Sequence, residues 1–215
     1  MRHFGKKICE RGAEYLGCSP DDVEFDGEKV VNLKTKEEIT RKEIGNKVMC
    51  SSNAPLSATE AFSSPVSPPP FMVGIAEVEI DKETGVVEPI DYAAVVDCGT
   101  VVNPNLARVQ TEGGIAQGIG MALYEDIIYS EKGKNYSNSF MQYKIPSRLD
   151  VGEIRVEFES SYEPTGPFGA KSIGEIVINT PSPAISNAVQ NAVGVIVREL
   201  PITAEKVYKG MAEKE

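Results

Sequence analysis

The feature that most constrains this chain is a long helical segment, about residues 103 to 123, that is unusually rich in glycine. Asn103 is a favourable N-cap, and a proline follows it at the first helical position. Glycine inside a helix costs about 1 kcal/mol relative to alanine, so several glycines need compensation. Gly114, Gly118 and Ala122 fall four residues apart and form one smooth stripe. We predict that another part of the chain packs closely against this stripe.

Hydrophobic periodicity predicts further helices and strands around this segment. Helices are predicted at residues 3–17, 40–48 and 180–198, with a last one from Thr203. Strands are predicted at residues 23–25, 29–33, 72–81, 86–96, 124–129 and 154–158. Thr40 and Glu43 have the spacing of a capping box at the start of the second helix. We therefore predict an α+β fold in which mixed sheet hairpins pack against helices.

A segment at residues 50 to 71 separates two parts of the chain. It is rich in serine, alanine and proline, and its prolines exclude a continuous helix or a central strand. Such a stretch is typical of a flexible linker, but Phe62 and Val66 among the prolines suit an ordered extended arm equally well. We predict an N-terminal α+β element with a proline-rich arm over residues 1–70, and a second region over residues 71–215.

Charge and hydropathy exclude several kinds of partner. The chain has 22 Lys and Arg against 32 Asp and Glu, and its basic residues form no cluster interleaved with aromatics. The electrostatic footprint of a nucleic-acid-binding protein is therefore missing. No apolar run approaches the roughly 18 residues that a bilayer span needs, and the basic start is not followed by the apolar stretch of a signal peptide. We expect a cytoplasmic protein with neither nucleic-acid nor membrane partners.

Nucleophilic and metal-ligating residues are few. The chain contains one histidine, His3, near the terminus, and four cysteines without a C-x-x-C pair: Cys9, Cys18, Cys50 and Cys98. Their spacing fits neither zinc nor an iron–sulfur cluster, so we expect reduced, structural thiols. Because the single histidine lies near a terminus, where order is usually poor, we do not expect the chain alone to use a Ser-His-Asp, Cys-His or histidine–metal site.

The most suggestive position for chemistry is Glu175, at the end of the segment 169–175. This carboxylate follows glycines and small residues where irregular chain gives way to an apolar helix, so a ligand could approach it with little obstruction. A carboxylate that is partly buried gains basicity and becomes usable as a general base. The other reading is a glutamate at a helix start, favoured there by the macrodipole. Both readings remain open from the residues alone.

A second candidate group lies on the glycine-rich helix. Gln110 and Gln117 are seven residues apart and so lie on one face, about two turns apart. A glutamine amide there could donate to an oxo or phosphate oxygen, although exposed glutamines are also ordinary on amphipathic helices. The Gly-Ile-Gly run at residues 118–120 is a weak match to a nucleotide-binding loop, because the third glycine and a directly preceding strand are missing.

Four segments in order resemble the molybdenum-binding large subunit of the xanthine dehydrogenase and aldehyde oxidase family. They lie at residues 95–99 with 103–104, 110–120, 169–175 and 198–203. The agreement covers roughly residues 70 to 208, whereas residues 1 to 70 match more loosely. Ser172 and Thr111 depart from the residues that are commoner in the family, but neither touches a catalytic group. The resemblance implies a molybdopterin-binding domain, with residues 71–215 as the C-terminal part of its cofactor-binding catalytic region.

The resemblance also implies roles for individual residues. Glu175 matches the glutamate that takes a proton from the molybdenum-bound hydroxyl, so that its oxygen can attack an electron-poor carbon. Gln110 matches the glutamine that hydrogen-bonds an oxygen ligand of the metal. The other cofactor-binding positions that it implies are Gly113, Gly114, Gln117, Lys171, Ser172, Ile173 and Gly174. Pterin dithiolene sulfurs hold the metal in this family, so no protein metal ligand is expected.

The same resemblance implies that this chain is one part of a larger enzyme. It implies a molybdenum–pterin cofactor, molybdopterin with or without a cytosine dinucleotide, and FAD and iron–sulfur clusters only on partner chains. The partners would be the remaining N-terminal half of the molybdenum subunit and the iron–sulfur and FAD subunits or domains. The small-molecule substrate would be a purine, as in purine catabolism, another N-heterocycle or an aldehyde, hydroxylated with water-derived oxygen. The chain alone is expected to be inactive, because the family's other pocket residues have no counterpart in it.

The sequence leaves open two alternative functions from other classes. The first is a non-catalytic binding or assembly module that retains the fold, which predicts that no neighbouring chain completes the pocket. The second is an independent nucleotide-binding protein that uses the glycine-rich helix, which predicts nucleotide-dependent thermal stabilisation.

Overall fold

The computed structural model describes residues 2–51, 55–59, 61 and 63–213. Its contacts divide the chain into two compact units, Met1–Ser63 and Ser64–Glu215. Each unit has a hydrophobic core of its own. The domain boundary between residues 70 and 71 stays a prediction.

The N-terminal unit packs two helices with a small antiparallel sheet. Its elements are α1 (Arg2–Leu16), β1 (Val23–Phe25), β2 (Lys29–Asn32), β3 (Glu38–Thr40) and α2 (Arg41–Met49), with the strands in the order β1-β2-β3. The predicted opening helix, the hairpin and the capping box of Thr40 and Glu43 are confirmed. α1 lies close to the sheet because Gly12 has no side chain: a Cβ there would stand 2.8 Å from the Val30 side chain.

The second unit is built on a three-stranded mixed sheet. Its elements are β4 (Phe71–Ile80), β5 (Val87–Asp97), α3 (Pro104–Leu123), β6 (Glu153–Glu159), α4 (Ile176–Asn179), α5 (Pro181–Val193) and α6 (Ala204–Ala212). β4 and β5 form the predicted antiparallel hairpin, and β6 adds parallel to β5 after the crossover that contains α3. The mixed sheet packed with helices confirms the predicted α+β class.

The stripe of small residues on α3 is filled by other parts of the chain, as predicted. A Cβ added at Gly114 would overlap the side chain of Val177, and one added at Gly118 would stand 2.6 Å from the Pro181 ring. Ala122 is fully buried. α4 and the start of α5 thus pack directly against the α3 backbone, which offsets the about 1 kcal/mol that each helical glycine costs. Because Pro181 fills the space beside Gly118, a nucleotide could not approach the α3 backbone at this glycine, which argues against the nucleotide-binding alternative.

One face of the sheet is covered by α3 and α5. Tyr92 of β5 is the largest side chain that is fully buried there, and its hydroxyl donates to Thr180 Oγ1 at 2.9 Å. Burial raises the pKa of Tyr92. The hydroxyl needs the space beside Gly74, where a Cβ would overlap it. On the opposite face of the sheet, Val73 and Ile75 remain exposed.

The predicted strand at residues 124–129 is wrong. This segment is irregular, apart from an isolated bridge between Tyr129 and Asn135. Ile127 and Ile128 stay exposed, so no buried face is available to hold an extended segment in a sheet. Apolar composition without a burying neighbour does not make a strand.

The helix predicted for residues 180–198 is too long. α5 ends at Val193, because Gly194 adopts a φ of 73°, the left-handed conformation that commonly ends helices. The last helix begins as predicted, with Thr203 as its N-cap. Among the helices of the described residues, none combines the length and the apolar character needed to cross a membrane.

The proline-rich arm is irregular where the structure describes it. Residues 55–59, 61 and 63–70 form neither helix nor strand. The Ser64 hydroxyl is 2.6 Å from the Val66 carbonyl oxygen and 3.1 Å from that of Thr165, which fixes the end of the arm on the second unit. Phe62 lies outside the described residues.

Candidate functional site

The loop that carries Glu175 is anchored at its start to the end of β5. The Lys171 amide donates to the Cys98 carbonyl at 2.7 Å, and the Thr100 amide donates to the Gly169 carbonyl at 2.8 Å. These bonds form an isolated antiparallel bridge between the two segments. The backbone position of the loop is therefore set four residues before Glu175.

A largely buried ion pair reinforces this anchor. Asp97 Oδ2 accepts from Lys171 Nζ at 2.7 Å. Asp97 Oδ1 accepts from Ser161 Oγ at 2.6 Å and from the Gly99 amide at 2.9 Å. The hydrogen bond from Lys171 is the main cause that lowers the pKa of Asp97 to about 2. Gly99 must be glycine here, since its φ is 68° and a Cβ would overlap a backbone oxygen of the loop.

The loop is anchored at its end by α4. Glu175 stands directly before this helix, in the N-cap position and without a side-chain capping bond. Val177, two residues further on, is fully buried and fills the space beside Gly114 of α3. Glu175 is thus held between a fixed strand end and a fixed helix contact. It occupies a helix start, as the simpler reading of the sequence expects, and it also borders a cleft.

Gln110 links α3 to the loop. Its Nε2 donates to the Gly174 carbonyl at 3.3 Å. The open cleft between helix and loop has a volume of about 470 Å³, and six of the predicted site residues line it: Gln110, Gly113, Gly114, Gln117, Gly174 and Glu175. The carboxylate predicted as a base and the amide predicted as a donor therefore share one open surface.

A second hollow, of about 480 Å³, adjoins the first and shares Gln110 and Gly174 with it. Lys171 and Ile173 contribute to its lining. Ser172 stands between these two residues and is exposed. The predicted site residues therefore all belong to two neighbouring pieces of chain, α3 and the loop after β6.

The floor of the cleft is open backbone. A Cβ at Gly113 or at Gly174 would meet nothing within 4 Å. A flat group could approach the backbone there, while the amides of Gln110 and Gln117 offer donors to its oxygens. These residues fit a polar cofactor that is bound through hydrogen bonds. Among the residues that the structure describes, no group of three or more His, Cys, Asp or Glu side chains could hold a metal ion.

The cleft is exposed on one side. Glu175, Gln110 and Gln117 are all exposed, so the described residues do not provide the partial burial that the sequence interpretation expects around Glu175. Apolar side chains at the start of α3 also face solvent, with Leu106 67% and Val109 66% exposed. The described part of the chain thus supplies a floor and one wall of the site.

Sequence reasoning missed one residue of this site, Asp97. Its motif contributes to the family resemblance, but the pattern does not reveal its bond to Lys171, which is 74 positions away. The available signal is an aspartate at the end of an apolar strand, immediately before a cysteine and a glycine. A charge at such a position needs a partner when it is desolvated.

Comparisons with known proteins identify the family of this chain. The model of the molybdopterin cofactor-binding domain family matches residues 1–152. The chain is 34% identical over 211 residues to the probable hypoxanthine oxidase XdhD of Escherichia coli (strain K12), which covers 96% of this chain and 22% of the relative. It is 31% identical over 212 residues to the 6-hydroxypseudooxynicotine dehydrogenase complex subunit gamma of Paenarthrobacter nicotinovorans, which covers 94% of this chain and 27% of the relative.

A solved structure has the same fold. The chain superposes on the CO dehydrogenase of Oligotropha carboxidovorans with a TM-score of 0.78 and 25% identity, over 99% of this chain and 27% of the other. The chain thus spans about a quarter of the length of each protein that it matches here. It belongs to the molybdopterin cofactor-binding domain family, with the fold of the molybdenum-binding subunit of enzymes of the xanthine dehydrogenase and aldehyde oxidase type.

Proposed function

We propose that this chain is the C-terminal part of the molybdenum-binding subunit of a hydroxylase, with Glu175 as its general base. The substrate would be a purine, another N-heterocycle or an aldehyde, and the inserted oxygen would come from water. Two relatives support the purine and the N-heterocycle, since one is a probable hypoxanthine oxidase and another belongs to a 6-hydroxypseudooxynicotine dehydrogenase complex.

The observation that carries this proposal is the shared cleft of Glu175 and Gln110. The amide of Gln110 reaches the carbonyl of Gly174, the residue directly before the carboxylate. The backbone at Gly113 and Gly174 is unobstructed between them. A base, an amide donor and a bare backbone floor thus stand within one cleft, as a bound group with reactive oxygens requires.

The chain's own residues have three roles in this proposal. When bound, the molybdenum–pterin cofactor, with or without a cytosine dinucleotide, supplies the redox chemistry that oxidises the substrate carbon. Glu175 accepts a proton on its carboxylate when the water-derived oxygen bonds to that carbon. The amide of Gln110 donates to an oxygen of the cofactor and orients it. Gly113 and Gly174 let the cofactor approach the backbone, and Gln117 provides a further donor.

We also propose that the rest of the molybdenum subunit covers the open side of this cleft. Leu106 and Val109, together with Val102, expose apolar surface beside it. Contiguous exposed apolar surface next to a polar cleft is typical of an interface. A covering segment would exclude water from Glu175 and raise its basicity. Electrons would leave through FAD and iron–sulfur clusters on partner chains, and the chain alone would not turn over.

The Glu175→Gln variant tests the proposed base. In the enzyme assembled from this chain and its remaining parts, we expect kcat to fall at least about a hundredfold, because an amide keeps the shape but accepts no proton. Hypoxanthine, xanthine and an aldehyde serve as substrates, with an artificial electron acceptor. Glu131→Gln, which changes an exposed glutamate in a turn, is the matched control and should keep full activity.

Two results would refute this function. Near-normal kcat in the Glu175→Gln enzyme would remove the role of the carboxylate. Turnover by the chain alone, without any partner, would contradict the need for a covering segment. Full assembly without any oxidation of these substrates would favour the non-catalytic alternative, a binding or assembly module that retains the fold.

A further inference from the structure

We propose that Asp97 is a positioning residue, which holds the loop of Glu175 in place through the ammonium group of Lys171. This inference rests on the proposed function, since it matters for catalysis only if Glu175 is the base. The pair joins the end of β5 to the start of the loop.

The carboxylate of Asp97 is fully engaged at the end of β5. One oxygen accepts from the Ser161 hydroxyl and the Gly99 amide, and the other accepts from Lys171. These three donors come from three separate pieces of chain. Asp97 therefore ties the strand end, the segment after β6 and the candidate loop to one point.

Lys171 is largely buried where it pairs with Asp97. Its side chain is only 7% exposed, and its ammonium group lies 5.1 Å from the centroid of the Phe71 ring. The contrasting pair on the same sheet, Arg155 with Asp91, leaves the arginine 61% exposed. A buried ion pair adds little net stability compared with an apolar replacement, and its best-attested use is to specify one arrangement.

The distance along the chain from this pair to the carboxylate is short. Only Ser172, Ile173 and Gly174 separate Lys171 from Glu175. The far end of the loop is held by α4 against α3, so the Asp97 pair controls the near end. When the pair is lost, the near end keeps its backbone bridge but loses its side-chain anchor.

Trypsin offers a direct test, because the Lys171–Ser172 bond is itself a tryptic site. In the full chain, Lys171 is shielded by its partner and should be cut slowly. Asp97→Asn keeps the shape but removes the charge, and we expect cleavage after Lys171 to accelerate at least about tenfold through local opening. Cleavage after Arg155, inside β6, reports general unfolding and should not change. Asp91→Asn, which breaks the exposed pair, is the matched control and should leave cleavage after Lys171 unaltered.

Activity of the assembled enzyme provides the second readout. We expect Asp97→Asn to lower kcat at least about tenfold with KM within about twofold, because a base displaced by an ångström still permits substrate binding. Lys171→Arg keeps the cation and should recover most of kcat, whereas Lys171→Met should not. If the Lys171 side chain only filled space, Lys171→Arg would recover no more kcat than Lys171→Met.

Unchanged cleavage after Lys171 in Asp97→Asn would overturn the inference, and so would faster cleavage with wild-type kcat. If Asp97→Asn unfolds the unit, cleavage after Arg155 rises in parallel, and Asp97→Glu takes its place. That variant keeps the charge but shifts the carboxylate. Unchanged cleavage after Lys171, or faster cleavage with wild-type kcat, would overturn the inference in this variant too. Failure of the proposed function has a different signature: Glu175→Gln stays active while trypsin still detects the release of Lys171.

Discussion

The two sides of α3 use glycine in opposite ways. On the side that faces α4 and α5, the space beside Gly114 and Gly118 is occupied by Val177 and Pro181. On the side that faces the cleft, the space beside Gly113 is open. Glycine in a helix costs about 1 kcal/mol, and packing offsets this cost only on the first side. The fold therefore explains the closed side, whereas the described residues offset no such cost on the open side, where we propose that the cofactor binds.

Valine placed on each side of α3 should have very different effects on stability. Gly114→Val would drive a branched side chain into Val177, and we expect the free energy of unfolding to fall by about 2 to 3 kcal/mol. Gly113→Val should change it by less than about 0.5 kcal/mol, because the space is open and valine has the better helix propensity. Urea denaturation followed by circular dichroism measures both variants. Equal losses would contradict the distinction between the two sides.

The ion pair between Asp97 and Lys171 fixes the candidate loop to the end of β5. It should make the free energy of unfolding sensitive to acid. The pKa of Asp97 is about 2 in the folded chain, below the usual 3.8, mainly because Lys171 donates to it. A carboxylate whose folded pKa is lowered stabilises the fold above its ordinary pKa, and this stabilisation is lost as the pH falls from about 4 to about 2. We expect about 2 kcal/mol to be lost in this window.

Urea denaturation between pH 2 and pH 5 measures this effect, with Asp97→Asn as the reference. The difference in unfolding free energy between wild type and variant should shrink towards the acid end, because protonation removes the charge that the variant already lacks. Parallel curves over the whole range would show that Asp97 makes no such contribution.

The smallest expected effect concerns the buried hydrogen bond between Tyr92 of the sheet and Thr180. Tyr92→Phe removes the hydroxyl that donates to Thr180 beside Gly74, and we expect a loss of about 1 kcal/mol. Tyr136→Phe, which removes the hydroxyl of a half-exposed tyrosine, should have no measurable effect. If the two variants unfold at the same urea concentration, the buried hydrogen bond contributes nothing to this face.

Local patterns predicted most of the fold. The capping box at Thr40, the turn between β4 and β5 and the N-cap at Asn103 depend on neighbouring residues, so the sequence reveals them directly. Two predictions were wrong because they, too, considered only neighbouring residues. The apolar segment after α3 is no strand because nothing covers it, and α5 stops at Gly194, whose left-handed backbone outweighs the continuing apolar spacing. The parallel pairing of β6 with β5 depends on the long connection between them, which periodicity does not reveal.

The candidate site was predictable only in part. Family resemblance pointed to Glu175 and Gln110, and the structure places both residues on the same cleft. The stripe on α3 implied a close neighbour but did not identify Val177 as that neighbour. The bond between Asp97 and Lys171 could not be read from the sequence, because it joins charges that are 74 positions apart. Such pairs become visible only when the topology brings their segments together.

The molybdenum content of the assembled enzyme carrying Gly113→Val shows whether the cofactor binds on the open side of α3. Valine would fill the bare backbone floor of the cleft while the fold of the chain tolerates it. We predict at least about a tenfold loss of bound molybdenum, equivalent to about 1.4 kcal/mol of binding free energy. Gly45→Val, at a helical glycine of the N-terminal unit with equally open space, should retain the wild-type content. A full complement of molybdenum in the Gly113→Val enzyme would contradict the assignment of this cleft.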